Sequence, residues 1–177
     1  MRTVKDVFIH LNKLADVKLA EDWDNVGLLL GNNNNEVNKV LVCLDVTTDV
    51  VEEAIANNVN LIVSHHPLIF KPLKSLDFTS DFKSRIIRDL IKNDISVISF
   101  HTNLDSATLG LNDYLAKLLK LEDIQVLFEH NLDKTAGLGR IGKLSSPLKY
   151  SDFITYLKDK FLLENVAAVI GDEKGIS

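Results

Sequence analysis

Apolar positions along this chain fall first into a helical period and then into short bursts separated by turn residues. Val4, Val7, Phe8, Leu11 and Leu14 recur at three- and four-residue spacing, which predicts an amphipathic helix over 3–15. Val26 to Gly31 is a brief apolar run bracketed by glycine, predicting a strand, and Asn32 to Asn35 predict a polar turn. From residue 38 the bursts become regular. Val40 to Leu44, Leu61 to Val63 and Ile95 to Phe100 read as buried strands. Between them lie two helical patterns, one capped by Thr48 and Asp49 that buries Val50, Val51, Ala54 and Ile55, the other capped by Ser80 with Phe82, Ile86, Leu90 and Ile91 on one face. Leu111, Leu115, Leu118 and Leu119 line a third helix. Alternating strands and helices predict an α/β fold whose sheet, parallel or mixed, is joined by right-handed crossovers.

The last third is less regular. Gly137 to Gly142 carries three glycines, but it does not sit between a buried strand and a helix, so it reads as a glycine-tolerant strand or bulge rather than a phosphate loop. Ser151 is placed to cap a helix containing Ile154, Leu157 and Phe161, and Val166 to Ile170 reads as a closing strand that would leave a sheet face uncovered. These patterns divide the chain into an α/β segment, 1–130, and the start of a second, 131–177.

Composition narrows the function classes. Hydrophobic residues make up 46% of 177, and 20 basic against 25 acidic side chains leave a net charge of −5, which argues against a bulk nucleic-acid surface. The single cysteine, Cys43, forms no internal disulfide and suits a reducing, cytoplasmic setting; its mid-strand position reads as burial, not catalysis. No apolar run has the length of a membrane span.

Chemistry gathers at two strand ends. Ser64-His65-His66-Pro67 follows one strand and His101-Thr102-Asn103-Leu104-Asp105 follows the next. Open α/β sheets bind ligands beyond the carboxyl ends of their strands, so this topology puts three imidazoles and a carboxylate on one edge. Such donors suit zinc, iron, manganese, nickel or cobalt. Pro67 disfavours helical backbone at His66, and the resulting turn lets both adjacent histidines face one cavity. Asp45 ends the first regular strand on the same edge and is placed to orient a ligating histidine. Asp22-Trp23-Asp24-Asn25 has two readings, a packed corner tied by Asx side chains or a pocket wall in which Trp23 stacks and Asp24 or Asn25 makes a polar contact. His10 and His130 read as ordinary polar residues.

Trp23-Asp24-Asn25-Val26-Gly27-Leu28, Ser64-His65-His66-Pro67-Leu68-Ile69-Phe70 and His101-Thr102-Asn103-Leu104-Asp105 resemble the three N-terminal motifs of the Nif-three-like family, often named GTP cyclohydrolase I type 2 homologues. Gly137 to Gly142 also resembles the stretch that resumes the core in compact members. The resemblance implies a two-metal site and a toroidal homohexamer. By motif position His65 and His66 would each take one metal, Asp105 would join one of them, and His101 would lie in or beside the ligand shell. The resemblance also implies a distal His and Glu that this sequence lacks, so the chain is expected to be the N-terminal part of a longer protein or a truncated product of one. Two functions follow as expectations. One is a metal-dependent hydrolase of a nucleotide-like, phosphorylated or cyclic small molecule; the other is a non-enzymatic metal-binding, assembly or regulatory protein.

Overall fold

The computed structural model describes residues 1–169 and 176, and the chain divides into two compact units, Met1–Ala107 and Thr108–Ser177. The first helix, α1 (Val4–Asn12), starts at Thr3, whose hydroxyl accepts from the Asp6 amide while the Asp6 carboxylate accepts from the Thr3 amide. That reciprocal pair satisfies two orphan amides and sets the helix start. A 3-10 turn (Val17–Leu19) and β1 (Gly27–Leu30) follow.

The regular pattern folds as β2 (Val40–Cys43), α2 (Thr48–Ala56), β3 (Leu61–Ser64), α3 (Phe82–Lys92) and β4 (Ser96–Ser99). The sheet runs β1-β4-β3-β2, with β2, β3 and β4 parallel and β1 antiparallel to β4, so it is mixed. Two strand–helix–strand crossovers build its parallel part. Strand alternation divides the core. Ile62 and Val97 pack with Val51, Ala54, Ile86, Ile87 and Leu90 from the α2 and α3 face, whereas Leu61 and Ile98 pack with Val4, Phe100 and Ala107 on the other. Both faces of the central strands are thereby covered, which explains their almost unbroken apolar sequence.

Several cap assignments shift by one residue. Thr47, not Thr48 or Asp49, caps α2 by accepting from the Val50 amide. Asp81, not Ser80, caps α3 through the Ser84 amide. Ile55, Phe82 and Ile91 lie on exposed rather than buried faces. Cys43 ends β2 half-buried, and burial, followed by the nearby Asp45 charge, pushes its thiol up to about 11, so it stays protonated at neutral pH.

The second unit holds α5 (Leu111–Leu118), β5 (Glu122–Glu129), β6 (Gly137–Lys143) and α6 (Tyr150–Phe161). The hydrophobic pattern does not announce β5, because the strand is solvated over most of its length. It pairs antiparallel with β6. This pairing carries residues 122–129 into the second unit, whereas the pattern-based division falls at 130. Gly137 has a φ of +144°, and a Cβ there would sit 2.0 Å from the Phe128 carbonyl oxygen, so the glycine belongs to strand pairing and not to a phosphate loop. α6 begins after Lys149 with no side-chain cap, one residue before Ser151. Val166–Val169 form no strand, and Ile170 lies outside the described residues. The expected closing strand is therefore not found among the described residues, nor is the uncovered sheet face inferred from it.

Candidate metal centre

The C-terminal ends of β3 and β4 are tied to each other before any metal is considered. The Phe100 amide donates to the Ser64 carbonyl at 3.0 Å, and the buried hydroxyls of Ser64 and Ser99 lie 2.8 Å apart. Ser64 Oγ also donates to the His66 carbonyl at 2.9 Å, which fixes the turn ahead of Pro67. Serine suits these positions because a small hydroxyl fits between paired strands and leaves no apolar bulk at the site.

That turn sets His65 and His66 on one side, with ring centroids 5.1 Å apart. The His101 ring lies 5.1 Å from His65 and 5.7 Å from His66. One nitrogen from each of the three rings lies within 4.8 Å of the other two, close enough for a single ion. Each Nδ1 is already engaged. His65 Nδ1 lies 2.9 Å from the Phe100 carbonyl oxygen, His66 Nδ1 2.8 Å from Asp45 Oδ1, and His101 Nδ1 2.9 Å from Asp24 Oδ1. A carbonyl or carboxylate oxygen can only accept, so Nδ1 carries the proton in all three rings. In the neutral ring Nε2 then presents its lone pair, the form a metal requires. The donor set fits a borderline divalent cation such as zinc or iron.

Asp105 rides on α4 (Thr102–Ser106), and its Oδ1 lies 3.8 Å from His65 Nε2. Burial raises its pKa, an effect that His65, His101 and His66 partly oppose and Asp24 reinforces. α4 is held in place from a distance in sequence. The Asp24 carboxylate accepts from the Thr102 amide at 3.0 Å and from the Thr102 hydroxyl, capping the short helix. Wholly buried Asn103 accepts from the His101 amide and donates to the Ala15 carbonyl, both at 2.9 Å.

Of the Trp23-Asp24-Asn25 corner, Trp23 is the exposed member. Its ring is 60% exposed and lies edge-on to Phe70 at 6.0 Å and to His101 at 6.4 Å. The Asp24 side chain is 0% exposed, and its oxygens are spent on His101, Thr102 and the Asn25 amide. Burial works against its charge, but these hydrogen bonds outweigh it and lower the pKa. The Asn25 amide donates to the Ile69 carbonyl and so holds the loop that carries Phe70. Both therefore position other groups, as the packed-corner reading expects. Phe70 and Asn103 were legible only as members of a motif; nothing in hydrophobic periodicity marks either. His10 is exposed on α1, and His130 Nδ1 accepts from the Leu132 amide in a loop.

The Duf34/NIF3 (NGG1p interacting factor 3) family model matches residues 2–177. A GTP cyclohydrolase 1 type 2 homolog of Clostridium acetobutylicum is 35% identical over 96% of this chain and 63% of its own length. A protein of the same name from Lactococcus lactis is 43% identical over 80% of this chain and 52% of its own. The chain thus spans between half and two thirds of these relatives. A crystal structure of a hypothetical Staphylococcus aureus protein superposes with a TM-score of 0.89 at 32% identity, covering 98% of this chain and 69% of that one. No helix among the described residues is long and apolar enough to cross a membrane.

Proposed function

This chain belongs to the Duf34/NIF3 family, and from that premise we propose that it is a metal-dependent hydrolase of a nucleotide-like, phosphorylated or cyclic small molecule. One observation carries the metal part. Three imidazoles converge, one nitrogen of each within 4.8 Å of the others, and with every Nδ1 engaged by an oxygen the lone pair left for an ion is that of Nε2. Structural histidines have no reason to share that arrangement, because three rings so close repel one another when protonated.

In this reading His65, His66 and His101 hold the ion, and Asp105 beside His65 supplies the anionic donor. Divalent metal ions in such a site, two where it is complete, supply Lewis acidity toward the bond to be cleaved. The remaining work belongs to the protein. Asp45, Asp24 and the Phe100 carbonyl fix ring orientation and tautomer, while Trp23 and Phe70 form an aromatic wall beside His101 for a planar substrate group. The hydrolase part draws support from the name of the relatives, GTP cyclohydrolase 1 type 2 homolog. The same reading includes a homohexamer and a cytoplasmic setting, and light scattering reads the first directly.

The test combines metal analysis of desalted protein with a screen of the zinc-, iron-, manganese-, nickel- and cobalt-loaded forms against nucleotides and phosphoesters. Turnover by the wild type that disappears in Asp105→Ala supports the proposal. Intact metal binding with no turnover across the panel favours the metal-storage or assembly alternative, and a wild type that retains no metal overturns both.

A further inference from the structure

We propose that the cleft beside His66 holds the non-reacting part of the substrate, and that it selects a molecule combining an apolar ring with an anionic group such as a phosphate. The inference rests on the hydrolase reading above and narrows its substrate class. The cleft has a volume of about 400 Å³ and is lined from the β2–α2 turn, the loop after β3 and the start of α3. Small-molecule pockets run from roughly 300 to 1,000 Å³, so this one suits a molecule of mononucleotide size.

His66 belongs to both the imidazole cluster and the cleft wall, so the cleft adjoins the candidate metal centre through this residue. The interior is apolar, formed by Val46, Leu68 and Ile86, with the exposed Phe82 ring at its edge. An aromatic left 62% exposed beside a cleft gains free energy when a ligand ring covers it.

Charge is arranged unevenly. Asp45 lies at the His66 end, its carboxylate already accepting the His66 Nδ1 proton. Lys83 lines the same cleft from α3 and is half-buried; its backbone amide donates to the Asp81 carboxylate, while its ammonium forms no ion pair or hydrogen bond among the described residues. A cation that has lost part of its hydration without gaining a counter-ion favours an anion in reach. Asp45 disfavours that anion at the His66 end, so the ligand lies with its anionic group toward Lys83 and its ring on the apolar wall. This arrangement leaves its reacting end at the histidines.

Calorimetric titration of the zinc-loaded protein with guanosine 5′-monophosphate, guanosine and inorganic phosphate tests the assignment. The nucleotide should bind about tenfold more tightly than the nucleoside, the scale of one charge-assisted contact. Lys83→Met should bring the nucleotide down to the nucleoside's affinity and leave the nucleoside unchanged. Thr48→Trp, at an exposed position on the cleft rim, should weaken both. Circular dichroism and the visible spectrum of the cobalt-loaded forms should match the wild type in both variants, showing that fold and histidine cluster are intact. Wild-type nucleotide affinity in either variant overturns the proposal, as does a wild type that binds none of the three probes or only phosphate. Nucleotide binding that follows these rules in a protein whose cobalt spectrum shows no histidine ligation upholds the cleft and overturns the metal reading instead.

Discussion

Two partly buried aspartates, one in each unit, are held in opposite electrostatic conditions. Asp113 on α5 meets Arg140 on β6, whose side chain is only 4% exposed and also donates to the carbonyls of Gly137 and Gly139 at 2.8 Å. The Arg140 hydrogen bond holds the Asp113 carboxyl below its ordinary range against the effect of burial. Asp105 on α4 is buried to a similar degree beside three histidines, and burial pushes it the other way. In the second unit, among the described residues, buried Arg140 is matched by Asp113, and the pair serves the fold. In the first unit Asp105 lies among three imidazoles, a set of donors suited to a bound cation. Such a cluster costs stability until a cation arrives, which is the expected signature of a binding site.

Substitutions that remove one side of each network separate these roles. The largest effect is expected from His101→Ala, which should lower metal affinity by more than about a hundredfold, beyond the usual cost of losing a supporting residue. Metal analysis after desalting should then find no stoichiometric ion, and the metal-free protein should also melt lower, because buried Asp24 loses a hydrogen bond. Next comes Asp113→Ala, which leaves buried Arg140 without its anion and should cost about 3 kcal/mol of stability. Thermal and urea unfolding read that loss, while metal affinity should stay at the wild-type value. An Asp113→Ala protein as stable as the wild type would break the comparison.

Asp45→Asn should fall between these extremes. It keeps the shape but weakens the acceptor on His66 Nδ1, and competition with a chromogenic chelator should show metal affinity falling by about tenfold.

The smallest and most diagnostic effect is a difference in sign between the two aspartates. Asp113 has a depressed pKa when folded, so its contribution is complete above the ordinary value of 3.8 and is lost as pH falls through the folded value. The stability gap between wild type and Asp113→Asn should therefore narrow in acid. Asp105 has a raised pKa when folded, so the protonated form favours the native state and stability is lost as pH rises from 3.8 through the folded value. Metal-free Asp105→Asn should thus melt above the wild type at pH 7 and converge with it near pH 3, although it binds metal less well. Equal melting at both pH values would remove the argument that Asp105 is held at a cost.

The strand-ending histidines were legible because two strands each finish in a burst of chemistry, and parallel crossovers bring consecutive strand ends together. The role of Asp45 was legible for the same reason. Asp24 was not: its partners, His101 and Thr102, lie 77 and 78 residues away, and only the folded corner shows that its carboxylate is consumed there. β5 escaped notice because a solvated strand has no buried face to impose alternation. Caps moved by a residue where neighbouring side chains were chemically equivalent, as with Thr47 and Thr48.

Local sequence by itself determined the α/β order, the central strands and the glycine-tolerant strand that became β6, and it singled out the candidate metal donors. Each depends on residues adjacent in the chain or on a hydrophobic period, and both are written locally. Tertiary structure alone decided which ring nitrogen is free, which acidic groups orient and which could bind, and where the cleft beside His66 opens. Those properties arise from hydrogen bonds and burial between segments far apart in sequence, where a carboxylate's role is set by the partner it meets in the fold.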